Sequence, residues 1–296
     1  MTSIIIVSYN TADYTKACVD SVRRYTRDVP YELIVVDNGS SDGSAEWLVG
    51  QEDVLCVLNH QNLGFPKGCN QGMALASGDE LLLLNSDTLV TERWLPNLLA
   101  VLYSHESIGA VGPVSNNCSN FQQIEVSYQT IEEMQAFASN YNVSNPDKWH
   151  SWLWLVGFCL LMRRPVYKQL GGLDENFTPG NYEDDDYALR MRQAGWDLLL
   201  CEDTFIHHFG GQSFTKHDDP LQQEEKQKRF HELLARNADY LCDKYGMPHM
   251  DYKFMHGIPE EMAESLPQGA SVFLLDCRLG FLLPVRPGRF QYIRLR

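Results

Sequence analysis

Four continuous apolar runs mark the first hundred residues, at positions 4–7, 33–36, 54–58 and 81–84. Runs without polar alternation suit strands buried on both faces, and helix-spaced segments separating such runs predict parallel βαβ units. Asn10 is placed to cap a helix running to about Arg24, with Ala12, Cys18, Val19 and Val22 among its apolar positions. A Gly/Ser-rich turn ends near Ser44, where a helix through Trp47 and Leu48 begins. A loop at 62–68 leads to a helix at 69–76. An amphipathic helix at 91–104 carries Leu95, Leu98, Leu99 and Leu102 at helical spacing.

The second half is less regular. Thr130 and Glu133 match a capping box, 140–148 reads as a loop, and 152–162 as a central strand returning to the sheet. Gly171-Gly172 gives a tight turn before a helix at 183–194 whose first turn is crowded with carboxylates, which the helix dipole favours. A short strand at 198–201, a loop at 204–213 and a charged helix at 221–245 follow, the last with Phe230, Leu233, Leu234 and Leu241 on one face. Segments 272–275, 281–283 and 291–295 read as short strands of an appended element. The expectation is a Rossmann-like α/β fold, a mostly parallel mixed sheet flanked by helices. Residues 1–110 read as a nucleotide-binding half, 111–245 as the second half of the same domain, and 246–296 as a C-terminal extension without assigned chemistry.

Composition narrows the function. A chain of 296 residues with 44% hydrophobic content can bury a substantial core. Its net charge of −15 disfavours nucleic acid as partner, since such binders need a basic patch. The eight cysteines lack CxxC spacing and sit mostly in apolar contexts, which predicts buried reduced thiols rather than disulfides or zinc ligands. No signal peptide precedes the first apolar run, and 152–162 is too short to span a bilayer. A cytoplasmic protein without a transmembrane segment is expected. Any contact with the inner membrane surface would then be peripheral.

The chemistry gathers at strand ends. Asn85-Ser86-Asp87 directly follows the run at 81–84, where α/β sheets bind ligands. Ser8-Tyr9-Asn10 follows the first run, and Asp37 closes the second and opens a glycine-rich turn. Further on stand Glu183-Asp184-Asp185-Asp186, more acids than capping requires, and His207-His208 followed by Phe209-Gly210-Gly211. Each has a plainer reading: Asx turns for Asp37, a strand-ending turn for Asn85, a solvated helix start for the acids.

In this order the motifs resemble those of family 2 glycosyltransferases with the GT-A fold, a resemblance covering roughly residues 1–245. It implies transfer of a sugar from a nucleoside diphosphate donor, UDP or dTDP, to a hydroxyl on a glycan, lipid-linked glycan or glycoprotein, with inversion and with Mn2+ or Mg2+. Asp37 would recognise the base, with Ser8, Tyr9 and Asn10 lining its pocket. Asn85, Ser86 and Asp87 stand at the family's DXD motif, with asparagine first, and Asp87 would hold the cation. His208, with His207 as competitor, would be a further ligand. Asp184 would be the general base, with Glu183 positioning it or the acceptor. Asn62, Gly64, Lys67 and Asn70 resemble the stretch on the nucleotide side, where Lys67 meets a phosphate or only solvent. Trp154, Gly157 and Phe158 lie where the family often places the acceptor, although core packing accounts for Trp154 equally well. The competing readings are a non-catalytic sugar-nucleotide or glycan-binding module and a nucleotidyltransferase. The latter is disfavoured because 8–15 lacks the glycine and arginine of a triphosphate loop. Oligomeric state is left open.

Overall fold

The computed structural model describes residues 1–120, 122–210 and 220–246. Its contacts divide the chain into two units, Met1–Lys228 and Arg229–Arg296. In the first unit β1 (Thr2–Ser8), α1 (Ala12–Tyr25), β2 (Tyr31–Asp37), α2 (Ser44–Val49), β3 (Val54–Leu58), α3 (Phe65–Leu75) and β4 (Glu80–Asn85) alternate as the apolar runs predict. There follow β5 (Thr88–Leu89), α4 (Trp94–Leu102), β6 (Ile108–Val114), α5 (Ile131–Tyr141), β7 (Trp149–Ser151), β8 (Cys159–Arg163), α6 (Arg164–Leu170), α7 (Glu183–Gln193), β9 (Asp197–Phe205) and β10 (His207–His208). The helix α8 (Pro220–Tyr245) runs on into the second unit, where the described residues are its continuation and Gly246.

Eight strands make one sheet in the order β3-β2-β1-β4-β8-β6-β9-β7, and β5 pairs separately with β10. The first four are mutually parallel, β8 is antiparallel to both β4 and β6, and β6 runs parallel to β9. The mixed, mostly parallel sheet expected from the sequence is what forms. From β1 the chain builds outward to β2 and β3, then crosses back to place β4 on the other side of β1. That reversal opens a crevice at the strands' carboxyl ends.

Side chains alternate across the sheet. Ile4 and Ile6 join Val19, Val22, Leu95 and Leu98 in the larger core cluster, beneath α1 and α4. Ile5 and Val7 point to the other face, where α3 lies so close that a Cβ on Gly72 would stand 2.3 Å from Ile5 Cγ2. A smaller cluster joins Met134 and Ala138 of α5 to Val114, Leu200 and Phe205. The Thr130 hydroxyl caps α5 by accepting from Glu133 N at 3.1 Å, as the capping box predicts.

Several expectations are corrected. Asn10 does not cap α1. It has a left-handed φ of 53°, and its Oδ1 accepts from Ser41 N at 2.8 Å, so it ties the first strand end to the second. Helix α3 begins at Phe65, because Pro66 fits a first turn and Gly68 lies against Val7 rather than in a loop. Of the apolar run at 152–162 only residues 159–162 form strand, as the greater part of β8. Strands β6 and β7 were not anticipated, and β9 extends to Phe205, into the expected loop. The seven described cysteines are free thiols, five of them buried. Among the described residues no helix is long and apolar enough to cross a membrane. The expected short strands at 272–275, 281–283 and 291–295 lie outside the described residues, as does Cys277.

Candidate active site

The crevice between β1 and β4 collects the candidate residues. Asn85 ends β4, and Ser86 and Asp87 lead directly into β5. Antiparallel pairing sets His208 opposite Thr88 and His207 opposite Leu89. Phe209 N donates to Asp87 O at 2.9 Å, which locks the two segments side by side. His208 Nε2 consequently lies 3.2 Å from Asp87 Oδ1 and 3.4 Å from Asn85 Nδ2. Both Asp87 and His208 are buried.

The imidazole orientation is fixed from behind. His208 Nδ1 lies 2.7 Å from Asn117 O, which can only accept, so Nδ1 carries the hydrogen. The Nε2 lone pair then faces a carboxylate oxygen. The Asn85 amide can donate to that lone pair at 3.4 Å, and a cation between the ring nitrogen and the carboxylate would draw on both lone pairs. A carboxylate oxygen and an imidazole nitrogen are both ordinary ligands for a divalent cation, so the pair fits one, and the ring is held by a carbonyl as metal-ligating histidines usually are. Among the described residues no group of three or more His, Cys, Asp and Glu side chains forms a metal site, in keeping with asparagine at position 85. His207 faces elsewhere: Tyr128 Oη lies 2.6 Å from its Nδ1, and the Phe209 ring meets it edge-on at 4.5 Å. Burial, with the neighbouring His208, lowers the His207 pKa to about 4.

At the end of β2, Asp37 Oδ2 accepts from Gly39 N at 3.1 Å and Ser40 N at 2.9 Å, the Asx turn expected of it. Its other oxygen, Oδ1, is buried and has no partner. A buried carboxylate oxygen without a donor is costly, which marks it as an acceptor for a ligand's N–H. The β1 end lies alongside, with Ser8 O accepting from Asn38 N at 2.8 Å. The hydroxyls of Ser8 and Ser86 both meet that of Thr11, at 3.4 and 3.2 Å, so they bind strand ends together. Tyr9 is half-buried beside them.

The acidic helix start is split in function. Asp184 is half-buried, and its Oδ2 accepts from Gly157 N at 2.8 Å. Glu183 is buried with Oε2 unpartnered; burial first, then the adjacent Asp184 and Asp185, push its pKa well above the carboxylate range. Burial thus favours its neutral form more than that of an exposed glutamate. Asp186 is fully buried and paired with Arg190 at 2.8 Å, whose guanidinium also donates to Leu170 O and Gly172 O. That pair anchors α7 rather than performing chemistry.

Other expected residues have different surroundings. Asn62 Oδ1 accepts from Gly64 N at 2.8 Å in an exposed turn, and a Cβ on Gly64 would fall 2.7 Å from Thr178 Cγ2. Lys67 faces Glu175 at 4.0 Å near the surface. The Asn70 amide donates to Leu173 O at 2.9 Å and accepts from Leu173 N at 2.8 Å, so it clamps the segment before α7. Phe158 is 1% exposed and stacks on the His208 ring at 5.2 Å, which corrects its expected contact with an acceptor. Trp154 is buried, and its Nε1 has no partner.

Sequence reasoning missed the residues that hold these loops. Asn116 and Asn117 follow β6 and bind the His208 segment, while Asn120 Nδ2 donates to Trp154 O at 3.0 Å. Gln122, fully buried, accepts from Val156 N at 2.8 Å and donates to Pro113 O at 2.9 Å. The signal was the one used at Asn85, polar residues directly after a buried strand, but the strand itself went unrecognised.

Comparison with known proteins identifies the family and the fold. The profile of "Glycosyl transferase family 2" matches residues 3–171. The O-antigen biosynthesis protein RfbC of Myxococcus xanthus is 29% identical over 225 residues, 70% of this chain and 17% of that protein. The glycosyltransferase GlyG of Streptococcus pneumoniae serotype 4 is 27% identical over 217 residues, covering 69% of this chain and 67% of its own. The chain thus spans under a fifth of RfbC but two thirds of GlyG. Among solved structures, the mannosyltransferase PcManGT from Pyrobaculum calidifontis, in complex with GDP-Man and Mn2+, aligns with a TM-score of 0.53 at 17% identity, over 84% of this chain and 76% of that one. GalNAc-T7 with UDP, GalNAc and Mn2+ aligns with a TM-score of 0.56 at 16% identity, over 75% of this chain and 45% of that one. With its matched region covering more than half of the sequence, the chain belongs to glycosyl transferase family 2 and has the GT-A fold.

Proposed function

We propose that the protein transfers a hexosyl group, with inversion, from a UDP- or dTDP-sugar to a hydroxyl of a glycan, lipid-linked glycan or glycoprotein acceptor. The observation that carries the reading is the facing of His208 Nε2 and Asp87 Oδ1 at 3.2 Å, with the ring's other nitrogen held by Asn117 O. Asp87 and His208 would hold Mn2+ or Mg2+, and Asn85 in the family's acidic position leaves fewer charged ligands around it. The cation supplies Lewis-acid stabilisation of the diphosphate charge. Mn2+ in the PcManGT and GalNAc-T7 complexes supports this choice of metal. The unpartnered Asp37 Oδ1 suits the N3–H that uracil and thymine share.

Asp184 takes the proton of the acceptor hydroxyl as its oxygen attacks the anomeric carbon from the side opposite the leaving group. The bond between that carbon and the diphosphate oxygen breaks, and the nucleoside diphosphate departs with the electron pair. One displacement inverts the anomeric configuration. Glu183, beside Asp184 in the chain and buried, is assigned to positioning the base or the acceptor. Gly157 borders the base, and Trp154 and Gly157 are assigned to the acceptor side. The name of RfbC supports a surface polysaccharide as product, made at the inner face of a membrane by a peripherally bound enzyme. Residues 1–245 are assigned to catalysis and 246–296 to an extension of other purpose.

Calorimetric titration of UDP, dTDP and GDP with Mn2+, repeated with EDTA, tests the reading. Metal-dependent binding of UDP or dTDP and weak binding of GDP are expected. Absence of binding by all three would favour a module that no longer transfers sugar.

A further inference from the structure

Two consecutive asparagines after β6 grip the segment that carries His208. Asn116 Oδ1 accepts from His208 N at 2.9 Å, and Asn116 Nδ2 donates to His208 O at 3.1 Å. One amide thus satisfies both backbone groups of a single residue, as a neighbouring strand would. Asn117 contributes its carbonyl to His208 Nδ1 at 2.7 Å and its amide to Phe209 O at 2.9 Å. The fit is close enough that a Cβ on Gly210, which has a φ of 72°, would fall 2.2 Å from Asn117 Nδ2. From the front, Phe158 stacks on the imidazole at 16° between planes. The ring is therefore fixed in position by Asn116, in rotation by Asn117 O and in tilt by Phe158.

We infer that Asn116 is a positioning residue for the divalent-cation site: it sets the height of His208 so that Nε2 meets Asp87. The inference rests on the proposed role of Asp87 and His208. Asn116 touches no part of that pair's metal-facing side and acts through the His208 backbone. Side chains that hold a ligating histidine in place commonly alter metal affinity about 10- to 100-fold when removed.

The test measures Mn2+ binding in the presence of UDP, from the electron paramagnetic resonance signal of free Mn2+, on the full chain. Asn116→Ala is expected to weaken Mn2+ binding about tenfold or more. Asn116→Asp keeps the acceptor for His208 N but sets a carboxylate oxygen against His208 O. Its added charge alone would strengthen cation binding, so weakening by this variant reports position. Thr26→Val, which removes the partner of the buried Trp94 Nε1 at 3.1 Å, is a control that lowers stability away from the site and should leave Mn2+ affinity unchanged. If His208→Ala does not weaken Mn2+ binding, the cation-site reading itself fails. If His208→Ala weakens it and either Asn116 variant stays within about twofold of the parent, the positioning inference fails alone. Should Asn116→Ala not fold, Asn116→Asp decides by the same criterion.

Discussion

Gly157 N donates to Asp184 Oδ2 at 2.8 Å, so the backbone before β8 holds the one half-buried carboxylate of the acidic run in a fixed rotamer. Its neighbours are otherwise engaged: Glu183 is buried with its pKa pushed up, and Asp186 is paired with Arg190. Asp184→Asn preserves the shape and an oxygen for Gly157 N but cannot accept a proton. Transfer should fall by about 10²–10⁴, the usual contribution of a general base, while Mn2+-dependent nucleotide binding stays within about twofold. Steady-state transfer rates and calorimetry on the same preparation separate the two. Parallel loss of both would assign Asp184 a structural role.

Glu183 predicts a pH dependence of stability. Its folded-state pKa lies well above the ordinary 4.5, through burial first and the charges of Asp184 and Asp185 second. Below the ordinary value both folded and unfolded chains are protonated. Above it the unfolded chain releases the proton and the folded chain keeps it, so this stability contribution declines by about 1.4 kcal/mol per pH unit until the folded pKa is passed. Glu183→Gln is neutral at every pH and removes that slope. The melting temperature of the variant relative to the parent should therefore rise as pH increases above the ordinary glutamate value of 4.5. A difference that does not change with pH would show that Glu183 is ionised in the folded state.

Asp37 separates base recognition from turn formation within one side chain. Oδ2 holds Gly39 N and Ser40 N, and Oδ1 is unpartnered. Asp37→Asn can keep the turn acceptor while presenting an amide N–H where Oδ1 stood. Loss of a charged hydrogen bond costs about 1.5–3 kcal/mol, so UDP affinity should drop about 10- to 100-fold. The melting temperature should change little, since the turn survives. Unaltered UDP affinity in calorimetry would place the base elsewhere.

What the sequence disclosed follows from which interactions are local. Strand β4 and its Asn85-Ser86-Asp87 end are legible because Leu81 to Leu84 are consecutive and apolar and the polar residues come next. The acidic start of α7 is legible for the same reason. Strand β6 was hidden by Gly109, Gly112 and Pro113, which resemble turn residues. Two of these answer to packing: a Cβ on Gly109 would lie 2.8 Å from Trp196 Cβ, and one on Gly112 would lie 3.2 Å from Cys159 O. The choice between His207 and His208 depends on a two-residue pairing with β5 more than a hundred positions away, which no local pattern encodes. The stacked Phe158 and the Asn70 clamp were likewise assigned by position in the chain, whereas their partners come from distant segments.

The base-recognition end of the crevice also depends on how closely α3 approaches β1. Gly68 and Gly72 lie one turn apart on the face that meets Val7 and Ile5, and a Cβ would come within 2.8 and 2.3 Å of those side chains. Ile5 is 1% exposed in the central strand, with β2 and β4 on either side, so it has nowhere to move. Gly72→Ala gains about 1 kcal/mol in helix propensity but overpacks the core by about 1–3 kcal/mol, and the second effect should prevail. Relief requires α3 to shift outward. At its N-terminus Gly64 O accepts from Asn38 Nδ2 at 2.9 Å, beside Asp37, so the shift strains that bond too. Gly72→Ala should therefore lower the melting temperature by a few degrees and weaken UDP binding together, whereas Ala74→Gly, on the exposed side of the same helix, should lower stability by about 1 kcal/mol and leave UDP affinity unchanged. Equal effects of the two variants on UDP binding would mean that α3 stability, and not its distance from β1, sets the nucleotide pocket.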